Sequence, residues 1–270
     1  MTKPHTFPFL IREPAEVYHA KACENLSSHA LADFRRCPLL YRRKQLGLIP
    51  DTDRPAYQIG RAAHTLILEG RPRFDAEYAI GGPINEKTGK SYGPTTKAFA
   101  EWAEGQGKPV ITEEQAVLIE QMAAAVRAHD GATRLLAEGI AEGVVRTRHL
   151  DLACQGRFDW IFTGDSPALV DLKTCDSLDW FEGESRVFGY IHQLAFYRSL
   201  LWQQTGALLP VHLIAVEKKE PFRCGVWMVG ADVLSIAQQE NEAAMKRLRQ
   251  FQQTDNWPTG YEEPRVLDHL

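Results

Sequence analysis

The stretch "GRFDWIFTGDSPALVDLKTC", residues 156–175, decides the fold. Two apolar runs flank "TGDSP", a good hairpin turn, so the stretch predicts two neighbouring strands. Asp159 falls on the first strand; Asp171 and Lys173 fall on the second and, by strand alternation, share a face. They follow "PALV", a run with no polar position, where unpaired charge is expensive. Two carboxylates brought together repel unless something positive lies between them, and hard oxygen ligands suit Mg²⁺ or Mn²⁺. A lysine beside such an ion can orient or deprotonate a water and offset charge on a phosphate. A lone D-x-K triplet is also what an edge strand with a solvated lysine looks like. Placement on a buried strand separates the two readings.

Outward from this pair, the first strand extends back through "LACQG", "EGVVRTRHL" adds a third strand upstream, and "LLPVHLIAVEKKEPFRCGVWMVG" reads as two strands joined near Glu220 and Pro221. A helical pattern lies between, over "ESRVFGYIHQLAFYRSLLWQQTG", and a last helix covers residues 231–252. In the first half, Ser27 or Ser28 can cap a helix that Pro38 should break or kink, and "RPAYQIGRAAHTLILEG" reads as a helix bearing His64 and ended by Gly70. Residues 80–95 read as a loop. Helices follow over about 94–105 and 112–128, the second opening with a capping box at Thr112. The succession of elements implies an α/β protein with a central mixed sheet flanked by helices. Residues 1–25 hold three prolines, Pro4, Pro8 and Pro14, and read as an extended arm; 26–258 read as one domain and 259–270 as a polar tail.

Composition narrows the chemistry. With 270 residues, 44% apolar, and a formal net charge of −4, the chain lacks the global basic signature of many duplex-binding proteins, so a polyanion would have to be met locally. Five cysteines at irregular spacing, with no CxxC, argue against a disulfide framework or a zinc site and fit a reducing cytoplasm. No signal peptide and no membrane span are expected. A Walker A motif is absent, so ATPase activity is not expected.

The chain resembles the PD-(D/E)XK nuclease superfamily and, within it, the RecE-type exonucleases. "AEVYHA" followed by "LSSHALADFRRCPLLYRRK" resembles that family's N-terminal region, "IGRAAHTLILEG" its G-x-x-x-H-x-x-x-L-E helix, and "VITEEQAVLIEQM" its connecting helix. "GRFDWIF" and "VDLKTC" resemble its active-site strands, "YIHQLAFY" its Q-x-x-x-Y helix and "TDNWP" its C-terminal signature, covering residues 15–258 together. Phe158 departs from the pattern, which has proline there. Iron–sulfur relatives use one early and three late cysteines; no cysteine follows Cys224, so no cluster is expected.

The resemblance implies a restriction-endonuclease-like core with a helical N-terminal elaboration. It implies His64, Asp159 and Asp171 as metal ligands, Lys173 as the catalytic lysine, and Gln193 and Tyr197 beside the site. Without the motif, His64 would read as a core histidine. Glu142 matches a family acid near the site and equally reads as a solvated cap. Ser27, Arg35 and Arg36 read as phosphate contacts or as a solvated basic face. The implied activity is a Mg²⁺-dependent (Mn²⁺-accepting) 5′-to-3′ exonuclease on linear double-stranded DNA. It would release 5′-mononucleotides and leave 3′ overhangs for phage or prophage recombination. A ring-shaped homo-oligomer (trimer or tetramer) in the bacterial cytoplasm and a single-strand annealing partner are implied with it. The rival readings are a PD-(D/E)XK endonuclease or repair nuclease without a ring, and a catalytically silent DNA-binding module.

Overall fold

The computed structural model describes residues 7–50 and 55–266. The segment expected as an extended arm carries a short helix, α1 (Ala15–Ala20), which opens after Pro14 with Glu16 in its first turn. Ser27 caps α2 (Ser28–Arg36), its hydroxyl accepting from Ala30 N at 3.2 Å. Pro38, as expected, separates α2 from α3 (Pro38–Gln45), where it takes a first-turn place that needs no N–H. α4 (Pro55–His64) runs into a π-helical turn, Thr65–Glu69, that ends at Gly70 with φ 86°. α5 (Arg71–Glu77) leads to β1 (Ala79–Ile80), which pairs in parallel with β2 (Val110–Ile111); α6 (Lys97–Glu104) lies between them. The capping box of Thr112 and Gln115 opens α7 (Glu113–Ala128), and a further helix, α8 (Asp130–Leu136), follows.

The main sheet is β3 (Gly139–His149), β4 (Leu152–Phe162), β5 (Ala168–Cys175), β6 (Val211–Glu217) and β7 (Cys224–Met228), in that spatial order. Only β5 and β6 run parallel, so the sheet is mixed. The β5–β6 crossover holds two helices where one was expected: α9 (Leu178–Val187) and α10 (Tyr190–Thr205). Gly189, at φ 72°, divides them, because a left-handed residue cannot continue a helix. α11 (Ala231–Thr254) closes the fold.

Two apolar layers cover the sheet. Phe34, Leu194, Phe196, Leu200 and Met245 pack on one face, against Leu169, Leu213 and Ala215. Ala62, Ala63, Ile119 and Met122 pack on the other, against Val170, Leu172 and Ile214. β5 therefore buries both faces. β4 and β5 pair only from Trp160–Phe162 to Ala168–Val170, after which they part and leave a fork. α4 borders that fork from one side of the sheet and α10 from the other.

Candidate metal and catalytic site

Strand register builds the site. Ala141 pairs with Trp160 and Gly143 with Phe158, so Glu142 stands opposite Asp159. Trp160 pairs with Val170, so Asp159 and Asp171 are the first residues past the fork on its two arms. Three acids on three adjacent strands thus form one row. Like charges placed opposite each other destabilise a sheet. Glu142 also adopts φ 54°, a left-handed conformation that costs a non-glycine residue about 1–3 kcal/mol. The inward alternation slips here too: on β3, Val145 shares a core face with Ile140, and on β4, Cys154 and Phe158 share it with Ile161, in each case across a change of parity. Repulsion, backbone strain and a broken alternation thus coincide at one spot, where none of them serves stability.

α4 brings His64 to this row. Gly60, one turn earlier on the same helix face, comes close enough to β5 that an added Cβ would lie 3.5 Å from Thr174 Oγ1. His64 Nδ1 lies 3.5 Å from Asp159 Oδ2. Among the described residues, His64, Glu142 and Asp159 each offer a ligand atom within 4.8 Å of the others. Asp159 Oδ2 accepts from Leu172 N at 2.9 Å, a side chain replacing a ladder bond that ends at the fork. Glu142 Oε2 meets Arg157 Nε at 2.7 Å.

Asp171 lies outside that trio. Its carboxylate is 1% exposed, and Lys173 Nζ approaches Oδ2 to 2.5 Å. We read this as an ion pair rather than a hydrogen bond, because neither Asp171 oxygen meets an aligned donor. The ammonium also sits 4.9 Å from the centroid of the Tyr190 ring. One imidazole nitrogen, several carboxylate oxygens and two under-satisfied buried acceptors fit a divalent cation of the Mg²⁺ or Mn²⁺ kind.

Burial dominates the protonation states. It pushes Glu142 up to about 8, with Asp159 adding repulsion and Arg157 opposing. Burial raises Asp171 to about 6 against the pull of Lys173, and raises Asp159 as well. His64 falls to about 4, through burial and the nearby Lys173 charge, so its imidazole is neutral and able to ligate. Burial works against the Lys173 ammonium, but Asp171 and Asp159 outweigh it and hold the proton more tightly than usual.

α10 supplies the remaining wall. Gln193 Nε2 donates to Tyr197 Oη at 3.1 Å, and Ser28 Oγ donates to the same oxygen at 3.4 Å. Tyr197 is buried, and burial drives its phenol pKa upward, with Asp159 and Asp171 adding to the rise. Phe158, the departure from the family pattern, packs edge-on against Tyr197 at 5.1 Å and so backs this wall. Ser27 commits its hydroxyl to the α2 cap. Arg35 turns inward, donating to Asn241 Oδ1 of α11, and lines a cavity with His29, His192 and Gln193; Arg36 is exposed at the end of α2. Sequence reasoning missed Arg157 and Tyr190. Arg157 lies two residues before Asp159 and was findable from alternation; Tyr190 depends on the unforeseen break at Gly189.

A family model described as "PDDEXK-like domain of unknown function (DUF3799)" matches residues 27–269. Among solved structures, a "Putative exonuclease" from Eubacterium rectale is 15% identical, with a TM-score of 0.68 over 96% of each chain. At that identity the likeness is one of fold. SSO0001 covers 57% of this chain and 71% of its own at 12% identity, with a TM-score of 0.28, too low to carry an argument. A search of curated proteins gives no match.

Proposed function

Because the chain belongs to the PDDEXK-like family (DUF3799), we propose that it is a divalent-metal-dependent nuclease that hydrolyses phosphodiester bonds of DNA. The observation that carries this reading is the row Glu142, Asp159 and Asp171 at the fork, with His64 on one side and Lys173 on the other. Packing this many buried acids together destabilises a fold unless a cation offsets them.

His64, Glu142 and Asp159 would hold the cation, with Asp171 at its flank. When bound, it supplies positive charge against the scissile phosphate and makes a water easier to deprotonate. Lys173 keeps its proton, so it acts as a donor and fixed charge: it orients the attacking water and offsets charge that develops on the phosphate. Asp171 fixes the ammonium, and the Tyr190 ring caps it. Gln193, held by Tyr197, presents its amide to water or to the substrate backbone. The neutral, buried His64 contributes a nitrogen without adding charge.

Within this reading we infer a 5′-to-3′ exonuclease on linear double-stranded DNA, using Mg²⁺ with Mn²⁺ as substitute. It releases 5′-mononucleotides and leaves 3′ overhangs for phage or prophage recombination, alongside a single-strand annealing protein. The sequence motifs support this, as does Arg35, which lines a cavity beside Gln193 where a terminal phosphate would fit. A ring of subunits would reconcile a net charge of −4 with a polyanionic substrate, since only the channel needs a basic lining. Among the described residues no helix is long and apolar enough to cross a membrane.

The test is time-resolved digestion of linear duplex labelled at either end, beside the closed circular form, with Mg²⁺ and with EDTA. Loss of the 5′ label from linear DNA alone is the expected result. Cleavage of the circle would make the enzyme an endonuclease, cleavage in EDTA would remove the metal from the reaction, and absent cleavage would remove the hydrolytic reading.

A further inference from the structure

Glu142 occupies a strained position on β3, an outer strand of the main sheet. An edge strand has hydrogen-bonding neighbours on one side only, so a left-handed residue within it relaxes unless something else restrains the chain. The N-terminal segment supplies that restraint two residues away. Ile11 N donates to Val144 O at 2.8 Å and Val144 N donates to Ile11 O at 2.9 Å, an antiparallel bridge on the open side of β3. Leu10 lies over Gly143, where an added Cβ would come within 3.3 Å of both Leu10 methyl carbons. Beyond the bridge, Arg146 donates to Glu13 Oε2 at 3.1 Å from Nη1, and Nη2 donates to the other oxygen. Glu13 is 9% exposed in its side chain, so this ion pair is shielded from water. Arg146 Nε donates to Gln155 Oε1 at 3.2 Å, and Gln155 Nε2 donates to Tyr18 O at 3.2 Å, which ties β3, β4 and α1 together.

We propose that the segment from Leu10 to Glu13 is a positioning strap for Glu142: its bridge to Val144 and the Glu13–Arg146 pair hold β3 so that the Glu142 carboxylate stays in the cation site. The proposal rests on the metal site described under Proposed function. Nothing in the strap reaches the cation itself. Its effect passes through one residue, which makes it separable from general support of the fold.

A double-mutant cycle on Mn²⁺ binding, read by titration calorimetry without substrate, tests this. Melting curves fix a temperature at which every variant is folded. Glu13→Ala should weaken Mn²⁺ binding about tenfold or more, the range found for groups that orient a ligand. In a Glu142→Gln background the same change should have little further effect, because the residue it positions no longer ligates. Glu13→Gln, which keeps an oxygen for Arg146, should restore most of the affinity. If Glu13→Ala does not fold, Ile11→Pro replaces it, since that change deletes the N–H that binds Val144 O. Unchanged affinity in a folded strap variant, or a loss that adds in full to that of Glu142→Gln, overturns the strap. A parent chain that binds no Mn²⁺ overturns the metal site and the strap with it.

Discussion

In EDTA, Glu142→Gln should stabilise the chain at alkaline pH and leave it nearly unchanged in mild acid. Burial, with Asp159 alongside, pushes the Glu142 carboxyl up to about 8 from 4.5. Folded protein therefore keeps a proton that the unfolded chain releases, and the folded state binds the extra proton between those two values. Stability declines as pH rises through that window. A shift of this size sets a ceiling of about 5 kcal/mol above pH 8, at ~1.4 kcal/mol per unit. Glu142 shares its titration with Asp159 and faces Arg157, so about 2 kcal/mol is the working figure. Glutamine keeps the shape and strain of the residue without the charge. At about 2–4 °C per kcal/mol for a chain of this size, the variant should melt about 4–8 °C above the parent near pH 8.5 and within a degree or so near pH 4.

Circular-dichroism melts at the two pH values in EDTA measure this directly. A difference that is the same at both would refute the argument, because it would show that Glu142 carries no proton into the fold. Saturating Mn²⁺ should then invert the order near pH 8.5, since binding stabilises the parent more than the variant.

The other predictions concern reaction and binding. Lys173→Ala should lower the hydrolysis rate by about 10² or more while leaving duplex affinity intact, and retention of more than about a tenth of the parent rate would remove Lys173 from the reaction. His64→Ala should shift the Mn²⁺ titration of activity to higher concentration; an unchanged curve would make His64 a core residue. Replacing Arg35 and Arg36 with Ala should slow initiation at 5′-phosphorylated ends. It should also reduce the salt slope of binding by about one unit for each phosphate no longer neutralised, and an unchanged slope would leave both outside the interface.

The carboxylates and lysine of residues 156–175 were legible because strand alternation and a clear turn leave little freedom in placing them. Glu142 stayed ambiguous for a physical reason. Its place opposite Asp159 depends on the β3–β4 register, set by the turn at Leu150 and Asp151, which adopt φ 47° and 61°. A leucine–aspartate pair is not among the residues that advertise such a turn, so register could not be read. The break at Gly189 was missed because the apolar spacing runs on across it. β1, β2 and α8 escaped because they are short and owe their formation to tertiary packing.

The fork explains why these residues come together. Up to Trp160 and Val170 the two strands satisfy each other's backbone; past it they cannot, and polar side chains must take over. Asp159 does so by accepting from Leu172 N, which fixes its carboxylate within reach of His64. Once Asp159 is fixed, its neighbours in register follow: Glu142 from β3 and Asp171 from β5, each buried by a helix layer that cannot neutralise it. Of the three, Asp171 faces Lys173 and Glu142 faces Arg157, whereas Asp159 holds a backbone N–H and a neutral imidazole. The balancing charges thus sit at the two ends of the row. Its middle, where Asp159 meets His64, is where an added cation would be most strongly held.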